Sequence, residues 1–341
     1  MVGVQRAGSG KTVRVEDVAR VAGVSPITVS RALNTPDKVR PETRRKVEEA
    51  VEKTGYVINT LASSLRSGRS SMISVFVYNL RNQHFATAMQ GAADAIEGSR
   101  YHILMGQSGL AASAQGELLR SVLPFQPAAM MFMGFVRNAE LRETVAQLNL
   151  PVVELWDYRD DPIDMQVGIS LHESGRLVAE HFLEQGFSRI AYAGRLDGRA
   201  PERLAGFRNG LAVKGIEPIL VVETPDSQSV GRGRDAMAQI LDAVPECDAV
   251  FFATDILAVG GMLEARNRGL RVPRDIAIAG CGDLEFSKQL HVPLTSVRIP
   301  AYEIGSIAGR MIRARLENGE SARDRVMLDV SLQVRESTLR R

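Results

Sequence analysis

Two groups of residues in this 341-residue chain have chemistry to offer. The first is a short polar run: Ser25, Pro26, Ile27, Thr28, Ser30, Arg31 and Asn34. Its hydroxyl and amide side chains can hold phosphate oxygens. The guanidinium of Arg31 offers a forked donor to O6 and N7 of guanine, and Pro26 and Ile27 offer apolar contacts such as one to a thymine methyl. The second group is scattered: Asn79, His84, Phe85, Trp156, Asp157, Asp197, Arg199, Arg203, Gln228, Thr254, Asp255 and Asp283. Arginines converging on one site suit a carboxylate or phosphate, because the guanidinium fork matches those oxygens. Trp156, the only tryptophan, suits either an aromatic wall or plain packing, and His84 either a ligand contact or a helix-start hydrogen bond.

The elements that must carry the first group are short helices. Val15, Val18, Ala19 and Ala22 share one helical face, and Gly23 follows as a natural stop. Val24 covers the joint, Ser25 is a good N-cap and Pro26 suits the first helical position, with Val29, Ala32 and Leu33 continuing an apolar face. A third helix runs from Pro41 through Val47, Ala50 and Val51 to Gly55, with Arg44, Arg45 and Lys46 on its outer face. The pattern is a helix-turn-helix plus one supporting helix.

From Met72 onward, strand-like runs alternate with amphipathic stretches: 72–78, 101–105, 128–133, 152–155, 189–193, 219–222, 249–253 and 275–279. That rhythm predicts parallel α/β sheets. About 270 residues exceed one ordinary doubly wound sheet, so two lobes are expected. A ligand would then sit in the cleft that collects the carboxyl ends of the strands, where every residue of the second group falls.

Charge is unevenly divided. Residues 1–70 hold 13 Lys+Arg against 7 Asp+Glu, and the rest 29 against 33, so a basic head precedes a mildly acidic body although the whole chain nets only +2. Two cysteines, Cys247 and Cys281, give neither a disulfide framework nor a structural zinc site, and the five histidines share no metal spacing. The opening run has no continuous apolar signal segment, and no stretch approaches 18 uninterrupted apolar residues, which points to the cytoplasm rather than export or a membrane. Gly8-Ser9-Gly10-Lys11-Thr12 ends like a phosphate-binding loop, but Gln5 stands where the pattern needs glycine. There is no G-x-S-x-G elbow or H-E-x-x-H helix, so no enzyme, cofactor or metal is expected, and an exported solute-binding protein would not carry the basic head.

The runs from Asp17 to Ser25 (DVARVAGVS) and from Thr28 to Asn34 (TVSRALN) resemble the amino-terminal signature of the LacI/GalR family of transcriptional regulators. The resemblance implies that the second helix enters the major groove, with Pro26, Ile27 and Arg31 facing bases. The segment from Tyr56 to Gly68 (YVINTLASSLRSG) resembles the family's hinge helix, which implies minor-groove roles for Asn59 and Ala62 and a wedging role for Leu65. Ile58 stands where a proline is usual, and Arg40 where a serine cap is usual. The likeness continues through RLAGF (203–207), DILAVG (255–260), GLRVPRD (269–275) and PLTSV (293–297). It implies an α-helical helix-turn-helix head on a two-lobed, periplasmic-binding-protein-like α/β core with parallel sheets. Arg203 matches an arginine that grips effectors, while Gly282 stands where many relatives carry an acidic residue.

PVVELWD (151–157) and LDGR (196–199) look most like the gluconate-operon repressor branch. The expected organisation is a leader at 1–12, a DNA-binding head at 13–57, a hinge at 58–70 and a core at 71–341. Lobe one would take about 71–168 and 300–325, and lobe two about 169–299 and 326–341. The expected function is a homodimeric repressor of a carbohydrate-catabolism operon, binding pseudo-palindromic operator DNA under control of a small sugar acid such as gluconate. A ketogluconate, a neutral sugar or a nucleobase is the alternative effector.

Overall fold

The computed structural model describes residues 13–34, 36–56, 70–109, 112–136, 138–156, 158–198, 200–319 and 324–340. The chain divides between Ser70 and Ser71 into two units.

In the first unit, α1 (Val15–Ala22), α2 (Pro26–Asn34) and α3 (Pro41–Thr54) surround Val18, Ala19, Val29, Ala32, Val47 and Ala50. Asp17 closes the start of α1 by accepting from the Arg14 amide at 3.0 Å. Gly23, at φ 68°, ends α1 and starts the turn, and Gly55, at φ 65°, ends α3; both occupy the left-handed region open to glycine. The charged outer face of α3 carries the pairs Arg44–Glu48 and Lys46–Glu42. Exposed pairs of this kind add little stability, so the three-helix unit rests on its small core.

The second unit holds two six-stranded sheets. The first comprises β1 (Met72–Val77), β2 (His102–Gln107), β3 (Ala129–Met133), β4 (Val152–Trp156), β5 (Met165–Ile169) and β11 (Arg325–Leu328), in the order β11-β5-β4-β3-β1-β2. The second comprises β6 (Ile190–Gly194), β7 (Leu220–Glu223), β8 (Ala249–Phe252), β9 (Ala277–Gly282), β10 (Thr295–Arg298) and β12 (Ser331–Gln333), in the order β12-β10-β9-β8-β6-β7. Both repeat the 2-1-3-4-5 doubly wound order, whose ligand crevice lies at the carboxyl ends where strand order reverses. All pairings are parallel except β10 with β12. The chain passes between the sheets three times: after β5, after β10 and after β11.

The last crossing corrects the expected lobe limit. β11 pairs in parallel with β5, Arg325 opposite Gln166 through Leu328 opposite Ile169, so the first sheet extends to Leu328 rather than 325. The strands that pattern reading passes over are β5, β10, β11 and β12. Their sequences, MQVGI, TSVR, RVML and SLQ, are short or mix polar and apolar residues. Only neighbouring strands make them extended.

Helices covering the sheets pack in pairs: α4 (Gln83–Ile96) with α11 (Ala301–Asn318), α7 (Leu171–Glu184) with α8 (Ala200–Ala212), and α9 (Val230–Ala243) with α10 (Asp255–Asn267). Each helix brings a glycine against its partner's backbone. Gly91 meets Tyr302 and Gly305 meets Ala88; Gly175 meets Arg203 and Gly206 meets His172; Gly233 meets Leu257 and Gly260 meets Val230. A Cβ at any of the six would overlap a carbonyl oxygen. Gly206→Ala is therefore expected to destabilise the core by about 1–3 kcal/mol through overpacking. By contrast, Gly116→Ala, within α5 (Ala112–Val122), meets only ordinary contacts and is expected to be neutral or to stabilise by about 0.5–1 kcal/mol. Thermal unfolding of the two variants checks the contrast, and equal losses would refute it.

Candidate functional site

The head presents a continuous face of α2. Ser25 Oγ accepts from the Thr28 amide at 3.2 Å and lies 2.9 Å from Thr28 Oγ1, so the N-cap also orients a hydroxyl. Pro26, Ile27 and Arg31 are exposed, Ile27 at 66%, while Thr28 and Ser30 are half-buried. Val29 and Ala32 fill the core behind them. Alternation of buried and exposed positions thus aims the polar residues of one helix outward. Asn34 ends α2, and its side chain lies outside the described residues, as do the hinge candidates Asn59, Ala62 and Leu65.

In the core, a cavity of about 120 Å³ opens between the carboxyl ends of the two sheets. Lobe one contributes Tyr78, Asn79, Asn82, His84 and Trp156; lobe two contributes Arg195, Asp197, Arg203, Ser227, Gln228, Thr254 and Cys281, among others. Arg203 comes from the first turn of α8, and its Nη1 donates to the Ala253 carbonyl at 3.1 Å. Its Nε is buried with no hydrogen-bond partner among the described residues. Below it lie Tyr192, whose phenol burial pushes up to about 12, and Cys281, whose thiol burial also raises while Arg203 opposes. Both are neutral groups at pH 7. Tyr192 in turn packs on Phe207 and Phe251, at centroid distances of 5.9 and 5.5 Å, so an aromatic cluster underlies the guanidinium.

Other polar groups are already committed. Arg195 gives Nε to Asp197 at 2.7 Å, pairs with it through Nη2, and gives Nη1 to the Pro225 carbonyl at 3.3 Å. Its charge is compensated. Asn79 and Asn82 use their carbonyl oxygens to accept from the Arg81 and His84 amides, at 2.9 and 3.0 Å, which leaves their NH₂ groups as donors. Thr254 caps α10 and donates to the Ser227 carbonyl at 2.7 Å.

Three expected ligand contacts fall elsewhere. Phe85 is core, packed edge-on against Tyr78 and Trp156 at 4.8 and 5.1 Å, because in the first turn of α4 the preceding residue, His84, is the one that lines the cavity. Asp255 is fully buried and accepts from the Leu284 amide and the Ser287 and Ser296 hydroxyls, at 2.8, 2.7 and 2.5 Å. It ties the loop after β9 to the start of α10. Asp283 pairs with Arg335 at 2.6 Å and does not line the cavity. Arg199 and Asp157 lie outside the described residues. Arg195, Asn82 and Cys281 were missed; Arg195 directly follows β6, and its place after a strand end was the available signal.

A family profile for bacterial regulatory proteins of the lacI family matches residues 14–59, and one for a periplasmic binding protein-like domain matches 179–338. The HTH-type transcriptional regulator GntR of Pseudomonas aeruginosa is 35% identical over 327 residues, covering 95% of each chain. This chain belongs to the LacI family. The GntR regulator of Escherichia coli is 30% identical over 317 residues, covering 93% of this chain and 95% of its own. Among solved structures, a LacI-family regulator from Silicibacter pomeroyi superposes with a TM-score of 0.90 at 28% identity, covering 96% of this chain and all of that one. The lac repressor dimer bound to operator superposes with a TM-score of 0.82 at 28% identity, covering 97% and 100%. The chain is accordingly a DNA-binding transcriptional regulator and not an enzyme.

Gly282, at φ 140°, has a backbone conformation that favours glycine, and the space beside it is also taken. A Cβ there would lie 2.5 Å from His84 Nε2, so the imidazole of lobe one occupies the space a side chain of lobe two would need. Burial, then the charge of Arg203, push His84 down to about 4, against a weaker opposing pull from Asp283. The ring is neutral at pH 7 and offers one donor and one acceptor nitrogen. Because the unfolded chain protonates near 6.5 and the folded one only near 4, His84 removes stability as pH falls through that window. An NMR titration should show a His84 midpoint near 4, and His84→Gln should flatten part of the acid limb of stability; a midpoint near 6.5 would contradict the burial argument.

Proposed function

We propose that this chain represses a carbohydrate-catabolism operon, reading a pseudo-palindromic operator as a homodimer under the control of a small sugar acid such as gluconate. Arg203 carries the effector reading: a guanidinium that has no carboxylate partner among the described residues, and whose Nε has no hydrogen-bond partner among them, lines a cavity otherwise supplied mainly with neutral donors. A ligand rich in acceptors and bearing one negative charge satisfies that balance, since the guanidinium otherwise remains without its full complement of acceptors. The two GntR relatives support a gluconate-related role. Trp156 supplies a wall, His84, Gln228 and Thr254 read hydroxyls, and Arg199 adds a second guanidinium.

Residues 13–57 form the reader and 58–70 the hinge that joins it to the sensing core. Arg31 contacts guanine, Pro26 and Ile27 tune operator choice, and Ser25, Thr28, Ser30 and Asn34 hold the backbone. Asn59, Ala62 and Leu65 act at the operator centre. Effector binding shifts the balance between two lobe arrangements and thereby operator affinity, and linkage makes operator shift effector affinity by the same factor.

Calorimetry with gluconate, a ketogluconate, a neutral hexose and a nucleobase tests the effector class. Gluconate or its keto acid should bind best, and Arg203→Ala should weaken that binding about ten- to a hundredfold. Preference for a neutral hexose with no loss in Arg203→Ala would refute the anionic reading. Independently, Arg31→Ala should cost about 1–3 kcal/mol of discrimination at one guanine of each half-site, measured by gel shift on operator variants. Uniform weakening on all sequences would assign Arg31 to phosphate instead.

A further inference from the structure

Arg81 does not line the cavity, yet its side chain reaches from one lobe to the other. The residue belongs to lobe one, in the turn between β1 and α4, where the Asn79 side chain holds its amide at 2.9 Å. Its guanidinium lands on lobe two: Nη1 on Asp226 Oδ2 and Nη2 on the Gln228 carbonyl, both at 2.8 Å. The receiving loop is braced on all sides. Asp226 Oδ1 accepts from the Gln228 amide at 3.0 Å, Thr254 donates to the intervening Ser227 carbonyl at 2.7 Å, and Arg195 reaches the preceding Pro225 carbonyl. Asn79 and Gln228, the residues at either end of this bridge, both line the cavity.

We propose that Arg81 is the interlobe strap of the effector cleft, a positioning residue that holds the lobes together across the cavity mouth and sets Gln228 against the ligand. Lobes cannot separate without drawing Arg81 off both acceptors. The strap is also made to yield: the Arg81 side chain is 63% exposed and that of Asp226 38%, so water and salt compete for both. An exposed pair of this kind biases an opening equilibrium by about two- to fivefold, enough to favour closure and too little to trap a ligand. The proposal rests on reading this cavity as the effector site, but its test uses no effector and can fail while that reading stands.

The two cysteines provide the assay in the full-length protein. Cys281 is buried in the cavity wall, and Cys247 is buried in the separate core between β8 and its covering helices. Under slow alkylation by iodoacetamide, with each cysteine followed by peptide mass spectrometry, the Cys281 rate tracks cleft opening and the Cys247 rate tracks unfolding of lobe two. Arg81→Met and Asp226→Asn should each raise the Cys281 rate about two- to fivefold and leave Cys247 unchanged. In 0.5 M salt the wild-type Cys281 rate should rise toward that of Arg81→Met. Unchanged Cys281 rates in both variants, or a parallel rise at Cys247, would overturn the strap.

Discussion

At the crossing of α7 and α8, two helix backbones approach so closely that neither can carry a side chain at the contact. Gly206 lies on the His172 carbonyl and Gly175 on the Arg203 carbonyl. That contact seats the first turn of α8, and with it the guanidinium that the cavity is built around. The same reciprocal glycines recur where α4 meets α11 and where α9 meets α10, so the helices bearing His84 and flanking Thr254 are placed by the same constraint. Dense packing transmits small shifts in such contacts over whole elements, which is why a methyl group far from any ligand can disturb the site.

Around Arg203 the charges are sorted rather than merely accumulated. Arg195 is neutralised by Asp197, Asp283 by Arg335, and Asp255 is consumed by three hydrogen bonds inside lobe two. His84 is kept neutral by burial and by Arg203 itself. Among the described residues, what remains at the cavity is the Arg203 guanidinium, without a carboxylate partner, amid neutral donors, a pattern that discriminates by leaving groups unpaired when the wrong ligand enters.

The head was the most legible part of the chain. Gly23, Ser25, Pro26, Pro41 and Gly55 each act through their own backbone or their neighbour's, so the end of α1, the start of α2 and both limits of α3 fall where those residues place them. Central strands were legible too, as mostly apolar runs buried on both faces. The strands β5 and β10 to β12 were not, because short mixed segments such as TSVR or SLQ become strands only when a neighbouring edge is there to pair them.

Side-chain roles divide along the same line. Residue type and order along the chain were enough to determine a basic three-helix reader, an alternating α/β body with two lobes, and a set of strand-end residues from which a ligand site would be drawn. Which of those residues face the ligand was decided only in three dimensions. Asp255 and Phe85 look as available in sequence as Thr254 and His84, their immediate neighbours; one residue of rotation about a helix start buries the first pair and opens the second. The approach of Gly282 to His84 and the reach of Arg81 to Asp226 join positions up to some two hundred residues apart, and sequence carries no signal for contacts that exist only after both sheets have formed.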